Sequence, residues 1–177
     1  MIRLKTGTWF AAFLGALGVC AGGAYATDIG GTISATVTIT EDSQLVDDVT
    51  CTVTGAPCIA IGAPNVTLDL NGFTITGQAD PQVACVASPG LPIPNASGEA
   101  GIFVNAQKEV VIRGPGLVQQ FRNFGILLLN STSGTVKDVT MSNNCFSGVI
   151  LVGGSDHLLE GNVSVRNGAP SAPCGGI

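Results

Sequence analysis

Gly101-Ile102-Phe103-Val104, Gly125-Ile126-Leu127-Leu128 and Gly148-Val149-Ile150-Leu151 are versions of one block, set 24 and then 23 residues apart. A fixed period in this range marks a solenoid, in which each repeat packs only on its neighbours. Around the blocks lie other short runs rich in Val, Ile, Thr and Leu, broken by Gly, Asn and Ser. They are Ile33 to Thr40, Val66 to Leu70, Phe73 to Thr76, Val110 to Arg113, Val136 to Met141 and Leu158 to Val165. Such runs predict short strands separated by turns. Helical periodicity is nearly absent after residue 26. A leucine-rich repeat has a similar period, but its spaced leucines and helical segments have no counterpart here.

A parallel β-helix accounts for the pattern. Each coil is expected to hold three short strands joined by corners, with coils stacked about 4.8 Å apart and alternate apolar residues pointing inward. One predicted coil runs from Gly125 to Leu129, turns at Asn130 to Gly134, continues through Val136, Val139 and Met141, and turns again at Asn143-Asn144. The next repeats it with Gly148 to Val152, a corner at Gly153 to Asp156, Leu158-Leu159, Val163 to Val165 and a corner at Asn167-Gly168. Gly and Asn suit corners because both tolerate left-handed backbone angles, and Asn at matched corners can stack as a hydrogen-bonded ladder.

The template also aligns Asn65 to Phe73 with Val110 to Leu117, placing Gly72 over Gly116. Between these coils lies an insertion at about 78–100, with Pro81, Pro89, Pro92 and Pro94. It reads as a long loop leaving one corner, either a carrier of binding residues or filler at a tolerant site. Near the end, Gly176-Ile177 resembles the start of another coil after a short insertion at Ala169 to Cys174. The expectation is a C-terminally truncated piece with an open edge that pairs with another chain.

The run NVTLDLNGFTITG (Asn65 to Gly77), preceded by CTVTGAPCIAIGAP, resembles the first coils of secreted right-handed parallel β-helix proteins of the pectate-lyase-like superfamily. The G-[IV]-x-[LV] blocks with Asn-rich corners resemble their generic repeats, and the resemblance covers most of residues 30–177. It implies a right-handed parallel β-helix of about five to six coils. The activity stays open, since the superfamily includes lyases, hydrolases, esterases, adhesins and non-catalytic binders. The hydrolase-type NTD, DD and GHG set and the esterase blocks are missing; Asp47-Asp48 is a DD pair without its companions. No catalytic residue of the superfamily carries over.

Arg3 and Lys5, the apolar run Phe10 to Val19 and the small-x-small Ala24-Tyr25-Ala26 form a secretory signal peptide, with cleavage expected after Ala26. Lipidation at Cys20 is the secondary reading, and no other segment is expected to span a bilayer. The mature domain is then residues 27–177, exported to an extracellular or periplasmic space. Five Lys/Arg remain there against twelve Asp/Glu, a net charge of −7. Such a balance argues against nucleic acid or an anionic membrane as partner, and makes a strongly polyanionic glycan awkward without local cations or Ca²⁺.

Five cysteines remain after the leader. Cys145 lies three residues before Gly148 and Cys174 two before Gly176, so both precede the same strand one coil apart. Stacking distance then predicts a Cys145–Cys174 disulfide. Cys51 and Cys58 close a short loop and are the next pair; Cys85 is left odd, with Cys58–Cys85 as the competing bridge. One histidine and no CxxC argue against zinc.

Asp69, Arg113, Lys137 and Glu160 fall at similar places on successive coils. Stacking predicts Asp69–Arg113 and Lys137–Glu160 ion pairs, with a small positive spot at Arg113 and Lys137. They are the candidate ligand-binding residues, as a subsite for a sugar carboxylate; the competing reading, which the sequence favours, is a solvated charge ladder that discourages aggregation. The alignment drifts by one residue near Lys137-Asp138. His157, beside Asp156, reads as a turn residue rather than a base. Glu41, Asp42, Asp47 and Asp48 cluster carboxylates that could attract Ca²⁺, but calcium-repeat spacing is absent, so the stretch reads as a solvated strand end and no cofactor is expected. Asn65, Asn95, Asn130 and Asn162 match the glycosylation pattern, which arises easily by chance in such repeats. Three function classes follow: a non-catalytic binder of polysaccharide, cell-surface glycan or another surface; a piece of a lyase or hydrolase acting on uronic-acid glycans; and a structural stalk or adhesin segment.

Overall fold

The computed structural model describes residues 27–79 and 98–168. The predicted leader, all but the ends of the Pro-rich insertion, Cys85, Asn95, Cys174 and Gly176-Ile177 lie outside these residues. The described chain is all-β, with thirteen strands and no helix. They are β1 (Thr27–Ile33), β2 (Val37–Ile39), β3 (Ser43–Cys51), β4 (Ile59–Ile61), β5 (Thr67–Asp69), β6 (Thr74–Thr76) and β7 (Ile102–Asn105). After them come β8 (Val111–Gln119), β9 (Ile126–Leu129), β10 (Thr135–Ser142), β11 (Val149–Val152), β12 (Leu158–Glu160) and β13 (Val163–Val165).

The chain alternates between two sheets. An eight-stranded sheet runs β1, β3, β5 with β6, β8, β10, then β12 with β13, and a five-stranded sheet runs β2, β4, β7, β9, β11. Every pairing is parallel. The three glycine-led blocks are β7, β9 and β11, aligned Ile102↔Ile126↔Val149. A third side is marked only by the bridges Lys108↔Thr132 and Thr132↔Ser155.

The core lies between the sheets. Leu68, Ile112 and Val136 stack in register from the larger sheet, and Ile59, Ile102 and Ile126 from the smaller; all are fully buried. Ser43 occupies the same inward column below Leu68, where its hydroxyl donates to the Glu41 carbonyl at 2.8 Å. Full burial of each such aliphatic side chain stabilises the fold by about 1.5–3 kcal/mol, so a stack of this kind holds neighbouring levels together without helices.

Several boundaries differ from the sequence reading. Ile33 to Thr40 is two strands, because the chain crosses between sheets at Ser34–Thr36. The acidic stretch around Asp47 and Asp48 is part of β3, its carboxylates outward and Leu45 and Val49 inward. Gly72 does not sit over Gly116. Asp69 pairs with Arg113 but Thr74 with Leu117, so one residue is absorbed between them. Asn71 and Gly72, both at positive φ, take up that residue, and the Gly72 amide donates to Pro115. Gly116 instead lies against Leu70, where an added Cβ would collide with the leucine Cβ.

Candidate functional site

The outward face of the larger sheet carries one straight polar column. Asp28↔Gln44, Gln44↔Asp69, Asp69↔Arg113, Arg113↔Lys137 and Lys137↔Glu160 are all direct register partners. Side chains at matched positions of neighbouring parallel strands project from points about 4.8 Å apart. Six strands of one parallel sheet thus present six polar groups in a row.

The side chains are linked in pairs. Gln44 Nε2 donates to Asp28 Oδ1 at 3.0 Å. Arg113 donates to Asp69 Oδ2 from Nε at 2.9 Å and from Nη2 at 2.8 Å, while the other carboxylate oxygen accepts the Asn71 amide. Lys137 Nζ stands 3.3 Å from Glu160 Oε2. The one-residue drift near Lys137 falls after it, at Asp138, whose φ is +56°, so Lys137 keeps its place in the column. Arg113 and Lys137 side chains are each 46% exposed, so water screens both ion pairs and each is worth less than about 1 kcal/mol. What the column offers is a fixed order of charge: acid, amide, acid, two adjacent cations, acid.

Sequence reasoning found four of the six members. Asp28 and Gln44 were missed because β1 and β3 were not read as strands. The alternation of buried Ser43, Leu45 and Val49 with outward neighbours is the signal that places Gln44.

A second polar cluster was missed entirely. Glu99 accepts the Gly55 amide at 2.9 Å and meets Arg122 Nη1 at 3.1 Å and 3.2 Å. Asn123 Nδ2 donates to Gly98 O at 2.9 Å, and Ala79 N–H to Gln120 O at 2.7 Å. These bonds pin both ends of the Pro-rich insertion to residues 120–123, and Glu99 also to the Gly55 loop. The discoverable signal was opposite charge at one repeat: Arg122 and Glu99 are 23 residues apart, as are Lys137 and Glu160.

Buried polar groups form ladders at the corners. Asn144, fully buried, accepts the Phe121 amide through Oδ1 at 3.1 Å and donates through Nδ2 to Val118 O and to Asn167 Oδ1. Asn167 Nδ2 donates onward to Met141 O at 3.0 Å. Asn162 is held in the same way, between the Val139 amide and Val136 O. Asn65 and Asn130 are exposed at corners with positive φ. His157 Nδ1 accepts the Gly134 amide at 3.1 Å, and its buried Nε2 has no hydrogen-bond partner. That bond fastens the segment at Gly134 to the one that precedes β12.

Cys51 and Cys58 are joined, closing the loop that holds Gly55. Cys145 is also disulfide-bonded. Cys174, the partner expected from spacing, and Cys85 both lie outside the described residues.

The acidic stretch holds backbone. Asp42 Oδ1 accepts the Thr67 amide and Asp48 Oδ1 the Thr74 amide, each at 2.8 Å. Among the described residues no three His, Cys, Asp or Glu side chains come together as a metal site requires, and no helix is long and apolar enough to cross a membrane. The sequence matches no protein-family model, and neither a curated protein nor a solved structure is significantly similar to it.

Proposed function

We propose that this chain is an exported right-handed parallel β-helix of the pectate-lyase-like kind, and that it binds carbohydrate without chemically altering it. Handedness is supported by a general rule: crossovers between parallel strands of one sheet are almost always right-handed. Export is supported by the leader pattern of residues 1–26 and is compatible with the Cys51–Cys58 disulfide, since such bonds persist in oxidising compartments.

The straight column from Asp28 to Glu160 carries the binding reading. An extended glycan presents hydroxyl and acidic groups at regular intervals, and a rigid row of carboxylate, amide, guanidinium and ammonium groups offers it donors and acceptors in sequence. The strands beneath fix the spacing of the positions from which these side chains project before any ligand arrives, which lowers the ordering cost of binding. Binding is favoured over catalysis because Arg113 and Lys137 are each held by a neighbouring carboxylate. A cation so paired serves as a positioning group.

A glycan array tests this directly. The native protein is expected to retain a defined class of polysaccharide, and Arg113→Ala to lose at least about tenfold in affinity, with unchanged circular dichroism. Absence of binding across neutral and acidic glycans, or equal binding by Arg113→Ala, would overturn the reading. Release of unsaturated uronides from any glycan tested would replace it with a lyase.

A further inference from the structure

His157 sits immediately before β12 and is the only histidine in the chain. Its Nδ1 lies 3.1 Å from the Gly134 nitrogen. That backbone N–H can only donate, so Nδ1 supplies the lone pair and the neutral ring carries its proton on Nε2. The next residue completes the contact, since the Leu158 amide donates to the Gly134 carbonyl at 2.9 Å. Gly134 is thus fastened through both backbone groups, one to a ladder partner and one to a side chain. The fit also needs a glycine: a Cβ there would stand 3.0 Å from Nδ1 and 2.6 Å from Leu128 Cδ2. At the equivalent point of two earlier levels, just before Val111 and Thr67, stand Val110 and Val66, buried residues that cannot titrate.

The surroundings hold nothing to balance a charge on this ring. His157 makes no ion pair among the described residues. Asp156, beside it in the chain, accepts the Ser155 hydroxyl at 2.7 Å. Residues 130–136 opposite, and β9 and β11, bear no charge. Lys137 and Glu160 are paired with each other, and Lys108, with Glu109 next to it, lies two levels from Ser155 along the bridges. Nε2 is buried and has no hydrogen-bond partner.

We propose that His157 is a pH-sensitive catch, which holds the start of β12 against Gly134 when neutral and releases it when protonated. Imidazole is the side chain that ordinarily changes charge between about pH 5 and 8. A second proton can go only to Nδ1, which turns the acceptor into a donor facing the Gly134 N–H. The bond is then lost, the amide is stranded, and a half-buried cation has no carboxylate partner. The bond needs the neutral ring, so its contribution to stability is present at higher pH and lost as falling pH protonates the ring. Among the described residues β12 pairs only with β10, so release loosens an edge level, the one that carries Glu160.

The inference is independent of the glycan reading. Nitrogen-15 shifts of the His157 ring in the native protein at about pH 7.5 should place the proton on Nε2. Amide hydrogen exchange, corrected for its intrinsic pH dependence, should then be compared at about pH 7.5 and about pH 5.5, a window in which carboxylates ordinarily keep their charge. The opening constants of the Gly134 and Leu158 amides should rise at least about tenfold on acidification, while the Val111 amide, bonded to Val66 O one level further in, stays unchanged. His157→Asn, whose Oδ1 can accept the same bond without titrating, should abolish the rise. A proton on Nδ1 at neutral pH, protection at Gly134 that ignores acidification, or an equal rise in His157→Asn would overturn the proposal. The first two readings come from the native protein, so they stand even where the variant fails to fold.

Discussion

Lys137 on β10 and Leu127 on β9 both point away from the core, yet the Lys137 side chain is 46% exposed and Leu127 is fully buried. The same alternation of strand residues puts a solvated charge on one sheet and a sealed leucine on the other. Outward therefore does not mean wet in this molecule. The larger sheet has one packed side and one side that carries all the strand-borne charge beside exposed Val46, Leu158 and Val163, whereas the strands of the smaller sheet bear no charge on either side. Solubility and charge order are concentrated on the first, and apolar contact on the second.

That contrast sets the expected size of mutational effects. Leu127→Ala should cost about 2–5 kcal/mol in chemical denaturation, the same range as Leu128→Ala on the inward side. Lys137→Ala should cost less than about 1 kcal/mol. If Leu127→Ala were as mild as Lys137→Ala, the two outward faces would be equivalent and the comparison would fail.

Asn144→Ala comes next, at about 1–3 kcal/mol, because it strands the Phe121 amide and removes the Nδ2 donor to the Val118 carbonyl in a buried corner, while Asn167 Oδ1 keeps only the backbone amide of residue 144. Recovery by Asn144→Leu, which restores volume without polar groups, would show that packing, rather than the ladder, dominates there. A double-mutant cycle on Asp69 and Arg113 should return the smallest value, below about 1 kcal/mol and shrinking as salt is raised. A larger coupling that ignores salt would mean that the pair is shielded from water and belongs with the sealed regions.

Much of this arrangement is legible in the chain. The glycine-led blocks at Gly101, Gly125 and Gly148 give the period, and the period gives the parallel pairing of β7, β9 and β11. The pairings of Asp69, Arg113, Lys137 and Glu160 follow from the same alignment. Three features escaped for physical reasons. At Asn71-Gly72 a left-handed turn absorbs one residue, which strand patterning cannot register. β3 escaped because Asp47 and Asp48 disfavour a strand by propensity, although their outward positions make them harmless there. The apolar exterior of the smaller sheet escaped because a continuous run such as Ile126 to Leu129 shows no alternation, so inward and outward residues look alike. The glycan-binding role of the column is not written in its geometry, since opposite charges in a row serve solubility equally well.

The central claim is that successive levels of one parallel sheet are about one repeat apart in sequence. Scalar couplings across hydrogen bonds, measured by nuclear magnetic resonance on the labelled protein, test it most directly. The Thr135 amide should couple to the Val110 carbonyl and the Leu158 amide to the Gly134 carbonyl, as their N···O distances of 2.8 and 2.9 Å require. Couplings that instead joined sequence neighbours across tight hairpins, in antiparallel order, would contradict the stacked arrangement and everything drawn from it.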